Sequence, residues 1–281
     1  MRNILKVLVK LIISLGALYF VLRQIELPQI INLYKRSDPV YLLLAIALFA
    51  LSKIISAYRL NRLFSMTGID LSQKKNLQLY WLGMYYNIFL PGGVGGDGYK
   101  TYLLNRQFKK PVKTILAAIL VDRANGMFVL LILSCLFFSV TIEPKWLSIT
   151  LAGMIPLGYL IYFLIMKRFF PVFKGFIHTI NVYSLLVQVS QIVMIIMILH
   201  SWGIEDHLII YTAIFLVSSV VAILPITIGG AGARELTFLF FSAYMTFDLN
   251  AAVALSLMFY LITLLVSLGG MIFSLKKVRF E

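Results

Sequence analysis

Six apolar stretches recur along a chain of 281 residues: 4–22, 40–58, 114–140, 146–166, 178–200 and 250–274. Each has about the ~20 residues that a helix needs to cross the hydrocarbon core of a bilayer. This recurrence leaves little choice of fold, and the chain is read as an all-α integral membrane protein. Composition supports that reading. With 61% hydrophobic residues and a mean hydropathy of +0.94, it is far richer in apolar side chains than a soluble domain, which is about 45–50% apolar. The first stretch, MRNILKVLVKLIISLGALYF, is interrupted by Lys6 and Lys10 and lacks a small-residue cleavage site. It is predicted to be a retained helix and not a secretory leader.

The formal charge of +14 would suit nucleic acid in a soluble protein. In a polytopic membrane protein the same excess belongs to loops held on the cytoplasmic side, so no nucleic-acid partner is expected. Cys135 is alone, which excludes a disulfide framework and a cysteine metal site. His178, His200 and His207 have no ligand spacing. No cofactor is expected.

Two further apolar stretches, 77–106 and 208–247, each contain a glycine-rich break. The first reads NIFLPGGVGGDGYK (87–100) and the second AILPITIGGAGARE (222–235). Leu90, Pro91, Gly95, Gly96, Gly98 and Lys100 match Leu224, Pro225, Gly229, Gly230, Gly232 and Arg234 at a constant offset, 224 − 90 = 134. Proline ends or kinks the helix before it. Glycine then permits positive φ and close approach. Irregular backbone is tolerated at membrane depth only where protein or a wet cavity covers it.

Charge decides whether these stretches cross. With a cytoplasmic N-terminus and both motif segments re-entrant, the inner side collects Lys53, Arg59, Arg62, Lys74, Lys75, Lys109, Lys110, Lys113, Lys167, Arg168, Lys174, Lys276, Lys277 and Arg279, among others. The outer side keeps Arg23, Lys35, Arg36 and Lys145. A crossing first motif would put KTYLLNRQFKKPVK outside, against the positive-inside bias. The predicted architecture is therefore six transmembrane helices plus two re-entrant helical hairpins. They form one polytopic domain over 1–281, made of repeat A (about 1–140) and repeat B (about 141–281). Three crossings per half invert the second half, and glycine-interrupted segments at matching places in inverted halves point to a transporter's binding site. Both termini are expected in the cytoplasm.

Each hairpin's second half-helix should begin just after its break, offering amides and a positive dipole end to an anion. Lys100 and Arg234 lie one turn further on. In the third helix, VDRANGMFVLL puts Asp122, Arg123 and Asn125 at depth. Charge there costs at least ~2.5–3.5 kcal/mol per residue, so it needs a partner or a cavity. Asp122 and Arg123 are adjacent and point about 100° apart, so each needs its own partner. Lys100 or a motif amide is expected for Asp122, and Asp97 for Arg123. Glu235 is expected to cap and balance Arg234, or to carry a proton. The counterparts of Asp122 and Arg123 at the repeat offset are Ser256 and Leu257, so charge is not symmetric between halves.

On FLPGGVGGDGYKTYLLNR, VDRANGMFVLL and LPITIGGAGARE, the chain resembles the lysylphosphatidylglycerol synthase transmembrane region family, a flippase-like membrane domain. The resemblance implies a multi-pass protein of the inner or plasma membrane that moves lipid between leaflets. It implicates Gly95, Gly96, Asp97, Lys100, Asp122, Arg123, Gly229, Gly230, Arg234 and Glu235 in holding a lipid with a phosphate headgroup. That lipid would be an anionic phospholipid or a polyprenyl-phosphate-linked lipid. The sequence runs out at SLKKVRFE after the last apolar stretch, and no catalytic constellation stands out, so synthesis of the lipid is not expected of it. Two alternatives remain: a membrane-embedded transferase acting on a lipid-linked substrate, and a non-catalytic subunit among partners in envelope lipid or glycan assembly.

Overall fold

The computed structural model describes residues 2–89, 95–143, 145–223, 227 and 230–275. Leu90, Pro91, Leu224, Pro225 and Gly229 of the motifs, and the basic residues Lys276, Lys277 and Arg279, lie outside the described residues. The described chain is helical: α1 (Arg2–Leu22), α2 (Leu27–Arg36), α3 (Pro39–Met66), α4 (Gln73–Phe89), α5 (Gly95–Phe108), α6 (Val112–Thr141), α7 (Lys145–Phe169), a 3-10 turn (Pro171–Phe176), α8 (Ile177–Ser201), α9 (Leu208–Ile223), α10 (Ala233–Ser242), α11 (Leu249–Leu268) and α12 (Met271–Leu275). Five segments are long and apolar enough to cross a membrane: Pro39–Met66, Val112–Thr141, Lys145–Phe169, Pro171–Ser201 and Leu249–Ser274. A sixth is reached if Leu11–Leu22 and Leu27–Arg36, bent by 86°, count as one. The protein is thus a multi-pass, all-helical membrane protein. The 10-residue helix α2 was not expected from sequence, and α3 continues two turns past the predicted end at residue 58.

Both glycine-rich segments interrupt the helix and fold the chain back. Residues 83 and 96 would stand about 20 Å apart on one continuous helix. Instead, a methyl group added at Gly96 would overlap the carbonyl oxygen of Gly83. In the second segment, a methyl at Gly230 would come 2.6 Å from the Ala222 Cβ. Gly230 and Gly232 have φ of +83° and +84°, which L side chains rarely adopt.

The helices ahead of the two fold-backs end alike. In α3, the Ile69 and Gly68 amides donate to the Phe64 and Ser65 carbonyls, with Gly68 at φ +72°. In α8, the Ile204 and Gly203 amides donate to the Leu199 and His200 carbonyls, with Gly203 at φ +71°. Both are Schellman caps, which need a left-handed residue just past the helix end. The shared Gly-Ile pair is displaced by 203 − 68 = 135 residues, one more than the motif offset, so a gap-free comparison passes over it.

The chain divides into two compact units. One comprises Met1–Leu48, Leu130–Ile155 and Ile192–Ile262; the other comprises Phe49–Val129, Pro156–Gln191 and Thr263–Glu281. The boundaries fall inside α3, α6, α7, α8 and α11. The units are therefore not the two sequence halves. The α4–α5 fold-back lies wholly in the second unit and the α9–α10 fold-back wholly in the first. The second unit packs around Leu60, Phe64, Leu79, Leu104, Ile115 and Ile177. In the first, Val21, Ile25 and Ile30 meet Val253 and Ala254.

Candidate functional site

In the α4–α5 fold-back, glycine at 83 and 96 brings the two helices into backbone contact. Gly96 donates its amide to Asn87 Oδ1 (2.8 Å). A methyl at Gly83 would overlap the stem of Lys100, so that lysine lies across the glycine. Asp97, 7% exposed, sits in the first turn of α5, where a carboxylate suits the helix dipole. Its Oδ1 accepts from Lys100 Nζ at 3.0 Å, and its Oδ2 accepts from Arg123 Nε at 2.5 Å. Lys100 also lies 4.9 Å from the Tyr80 ring centroid. The Arg123 side chain is 44% exposed, whereas those of Asp97 and Lys100 are buried.

Asp122, the neighbour of Arg123 on α6, turns to α3. Arg59 Nε donates to its Oδ1 at 2.7 Å. The Arg59 Nη1 donates to Ser184 Oγ on α8, which also accepts from Asn125 Nδ2. Tyr162 on α7 donates to Asn125 Oδ1, and Asn125 Nδ2 reaches the Ile180 carbonyl at 3.1 Å. One polar network thus ties α3, α6, α7 and α8 together inside the second unit. Arg59, grouped by sequence with the basic residues of the cytoplasmic ends and loops, is 5% exposed on a helix that continues past it. One expectation is corrected here. The partner of Asp122 is Arg59, not Lys100 or a motif amide, because Lys100 is taken by Asp97. The Arg123–Asp97 pairing is as the sequence suggested. Arg59, Lys100 and Arg123 against Asp97 and Asp122 give 3 − 2 = +1 for the cluster.

The α9–α10 fold-back handles its charges differently. Glu235, 3% exposed, accepts from the Gly232 amide and from Ser256 Oγ, both at 2.7 Å. This is the capping expected of it. The Gly232 amide at the start of α10 is thus bonded internally, as is that of Gly96 in α5. Arg234 donates to Ser219 Oγ at 2.7 Å. Its guanidinium lies 4.6 Å from the Phe259 ring and 5.3 Å from the Phe215 ring. No ion pair among the described residues involves Arg234. It is a cation held on aromatic faces, at a helix start where the dipole gives it no help.

Beside this fold-back, α1, α9 and α10 enclose an apolar groove of about 620 Å³, lined by Ile13, Ala17, Val221, Leu236, Thr237 and Phe240 among others. Thr227, in the break itself, also lines it; this residue is 7% exposed and its buried hydroxyl has no hydrogen-bond partner. A methyl at Gly232 would come 2.7 Å from Ala17 Cβ, so glycine there lets α1 close the groove.

The family model described as lysylphosphatidylglycerol synthase TM region matches residues 7–270. The chain belongs to this family. The match takes in both fold-backs and every charged residue of the two clusters. No curated protein matches the chain significantly. Of the ten residues singled out by sequence, Gly95, Gly96, Asp97, Lys100, Asp122 and Arg123 fall in the second unit, and Gly230, Arg234 and Glu235 in the first; Gly229 lies outside the described residues. Sequence reasoning missed Arg59, Ser184 and Tyr162. One signal was available: Ser52, Ser56 and Arg59 fall at i, i+4 and i+7 on an otherwise apolar helix, a polar stripe that only a buried partner would justify.

Proposed function

We propose that this member of the lysylphosphatidylglycerol synthase TM region family is a lipid translocase. It carries an anionic phospholipid or a polyprenyl-phosphate-linked lipid between the leaflets of the inner or plasma membrane. The observation that carries the reading is that a cation lies at each glycine-broken fold-back. At the first this is Arg123 of α6, whose half-exposed side chain pairs with Asp97 of α5. At the second it is Arg234, which makes no direct ion pair among the described residues. Desolvated cations at membrane depth mark substrate pathways. The acyl or prenyl chain stays in lipid, with the groove by α10 available to it.

In this reading the chain makes six crossings with both termini cytoplasmic, and the two fold-backs are re-entrant from opposite faces. The charge bias of the loops supports it. So does the confinement of the fold-backs to different units. The element order repeats as well: adding 134 to α4 (73–89) gives 207–223, against α9 at 208–223, and adding it to α5 (95–108) gives 229–242, against α10 at 233–242.

The test is reconstitution of the purified chain in vesicles carrying a headgroup-labelled anionic lipid, with leaflet exchange followed by reduction of the outer label. The protein should accelerate exchange. Arg123→Gln and Arg234→Gln should abolish that acceleration while the protein still elutes as a single folded species. Unchanged exchange in both variants would remove the site assignment. Turnover of a lipid-linked donor into a new product would favour the transferase reading.

A further inference from the structure

The short helix α2 is where charge and apolar surface are most at odds with a membrane span. Leu27–Arg36 leaves α1 at 86°. It is strongly amphipathic, with Ile30, Leu33 and Tyr34 packed inward against Val253 and Ala254. Leu27 and Ile31, one turn apart, are 50% and 51% exposed and extend that apolar sector outward. Gln29, Asn32 and Arg36 are also exposed and lie on the opposite side of the helix.

Its neighbours fix its depth. Glu26 donates its amide to Asn250 Oδ1 (2.8 Å), Asn250 Nδ2 donates to Gln29 Oε1 (2.8 Å), and Tyr34 OH donates to the Ala254 carbonyl (3.0 Å). All three contacts involve the first turns of α11, which begins at Leu249. At the other end of α2, Ser37 Oγ accepts from Trp202 Nε1 (2.9 Å), the Asp38 amide donates to the Ser201 carbonyl (2.9 Å), and Tyr34 stacks on Trp202. Ser201 is the last residue of α8. A helix whose hydrogen bonds to other elements run, among the described residues, to the ends of two spanning helices lies at the boundary of the hydrocarbon, where stacked Tyr and Trp also belong.

The geometry points to α2 as an interfacial helix that lies in the headgroup layer and binds anionic lipid. Leu27 and Ile31 enter the acyl boundary, while Lys35 and Arg36 at its C-terminal turn face lipid phosphates. Basic residues there also suit the helix dipole, and amphipathic helices of this kind lie in the plane of the interface. It follows that α1 crosses alone and α2 completes no span. The basic residues Lys35 and Arg36, out of place for an outer loop, are lipid ligands and not topology signals. None of this depends on the chain moving lipid.

The experiment uses the full chain in vesicles, with single cysteines in a Cys135→Ser background. Spin labels at Leu27→Cys and Ile31→Cys should collide mainly with oxygen, and those at Asn32→Cys and Arg36→Cys mainly with a water-soluble relaxant. If all four positions report hydrocarbon, α2 is half of a broken span. If all four report water, it stands off the bilayer. Either result overturns the inference. Lipid preference is read separately with bimane on Ile31→Cys, quenched by brominated lipids. A basic residue near the surface enriches anionic lipid by about fivefold, equivalent to ~1 kcal/mol. Brominated phosphatidylglycerol should therefore quench more than brominated phosphatidylcholine at equal content, and Lys35→Gln with Arg36→Gln should bring the two to parity. Equal quenching before substitution would overturn the anionic preference.

Discussion

Removing the carboxylate of Asp122 should be the most damaging single change to stability in the second unit. Arg59 and Asp122 have side chains 6% and 11% exposed, with Nε 2.7 Å from Oδ1. At an effective dielectric of about 20 their gross attraction is roughly 6 kcal/mol. Much of that only offsets the desolvation of two ions. In Asp122→Ala the guanidinium keeps Ser184 Oγ but loses its counter-charge while still buried, a change that costs ~3–5 kcal/mol. Replacing both ions with apolar residues of similar volume, as in Arg59→Met with Asp122→Leu, removes the desolvation problem along with the attraction. This double variant should recover most of the loss. The measurement is SDS-induced unfolding of the protein in mixed micelles, followed by tryptophan fluorescence. Asp122→Ala should lower the folding equilibrium constant by about two to four orders of magnitude. A loss under ~1 kcal/mol, or a double variant no better than the single one, would refute the argument that this charge is held by its partner.

The same assay checks the packing of the first fold-back. Gly96→Ala drives a methyl into the Gly83 carbonyl and should cost ~1–3 kcal/mol. Gly98→Ala, which meets nothing within 4 Å, should be neutral or stabilising by up to ~1 kcal/mol through helix propensity. Glu235→Ala leaves the Gly232 amide and Ser256 hydroxyl without an acceptor and should cost ~2–4 kcal/mol, against ~1 kcal/mol for Ser256→Ala. Arg234→Met removes a buried cation that rests on two rings and a hydroxyl and makes no direct ion pair among the described residues. It should raise unfolding stability by about 1 kcal/mol while abolishing lipid movement, the pattern of a residue kept for function against stability.

The long apolar helices were legible because twenty apolar residues in a row admit few structures. The fold-backs were legible because glycine and proline punctuate them. Residues 27–36 escaped notice because they are short and neither apolar nor flanked by glycine, and their helix is held by side chains more than 160 residues away. The charged clusters were half legible. Inspection matches Arg123 to Asp97, but it assigns Lys100 to Asp122 although the lysine's partner Asp97 lies three residues before it. Arg59 and Asp122 are 63 positions apart, and no local pattern announces such a pair; a positive residue near a helix end reads as a loop charge unless the polar stripe beneath it is noticed. The cap on Glu235 could be read from its spacing to Gly232, but its second partner, Ser256, could not.

The carboxylate shared by Lys100 and Arg123 has a mechanical consequence. If α6 draws away, taking Arg123 with it, Asp97 still keeps the ammonium of its own helix, one turn along. The exposed guanidinium meanwhile gains room for another oxyanion. Uncoupling the two helices therefore never strands a bare negative charge in oil. Releasing the guanidinium thus leaves the buried carboxylate balanced by the lysine of its own helix.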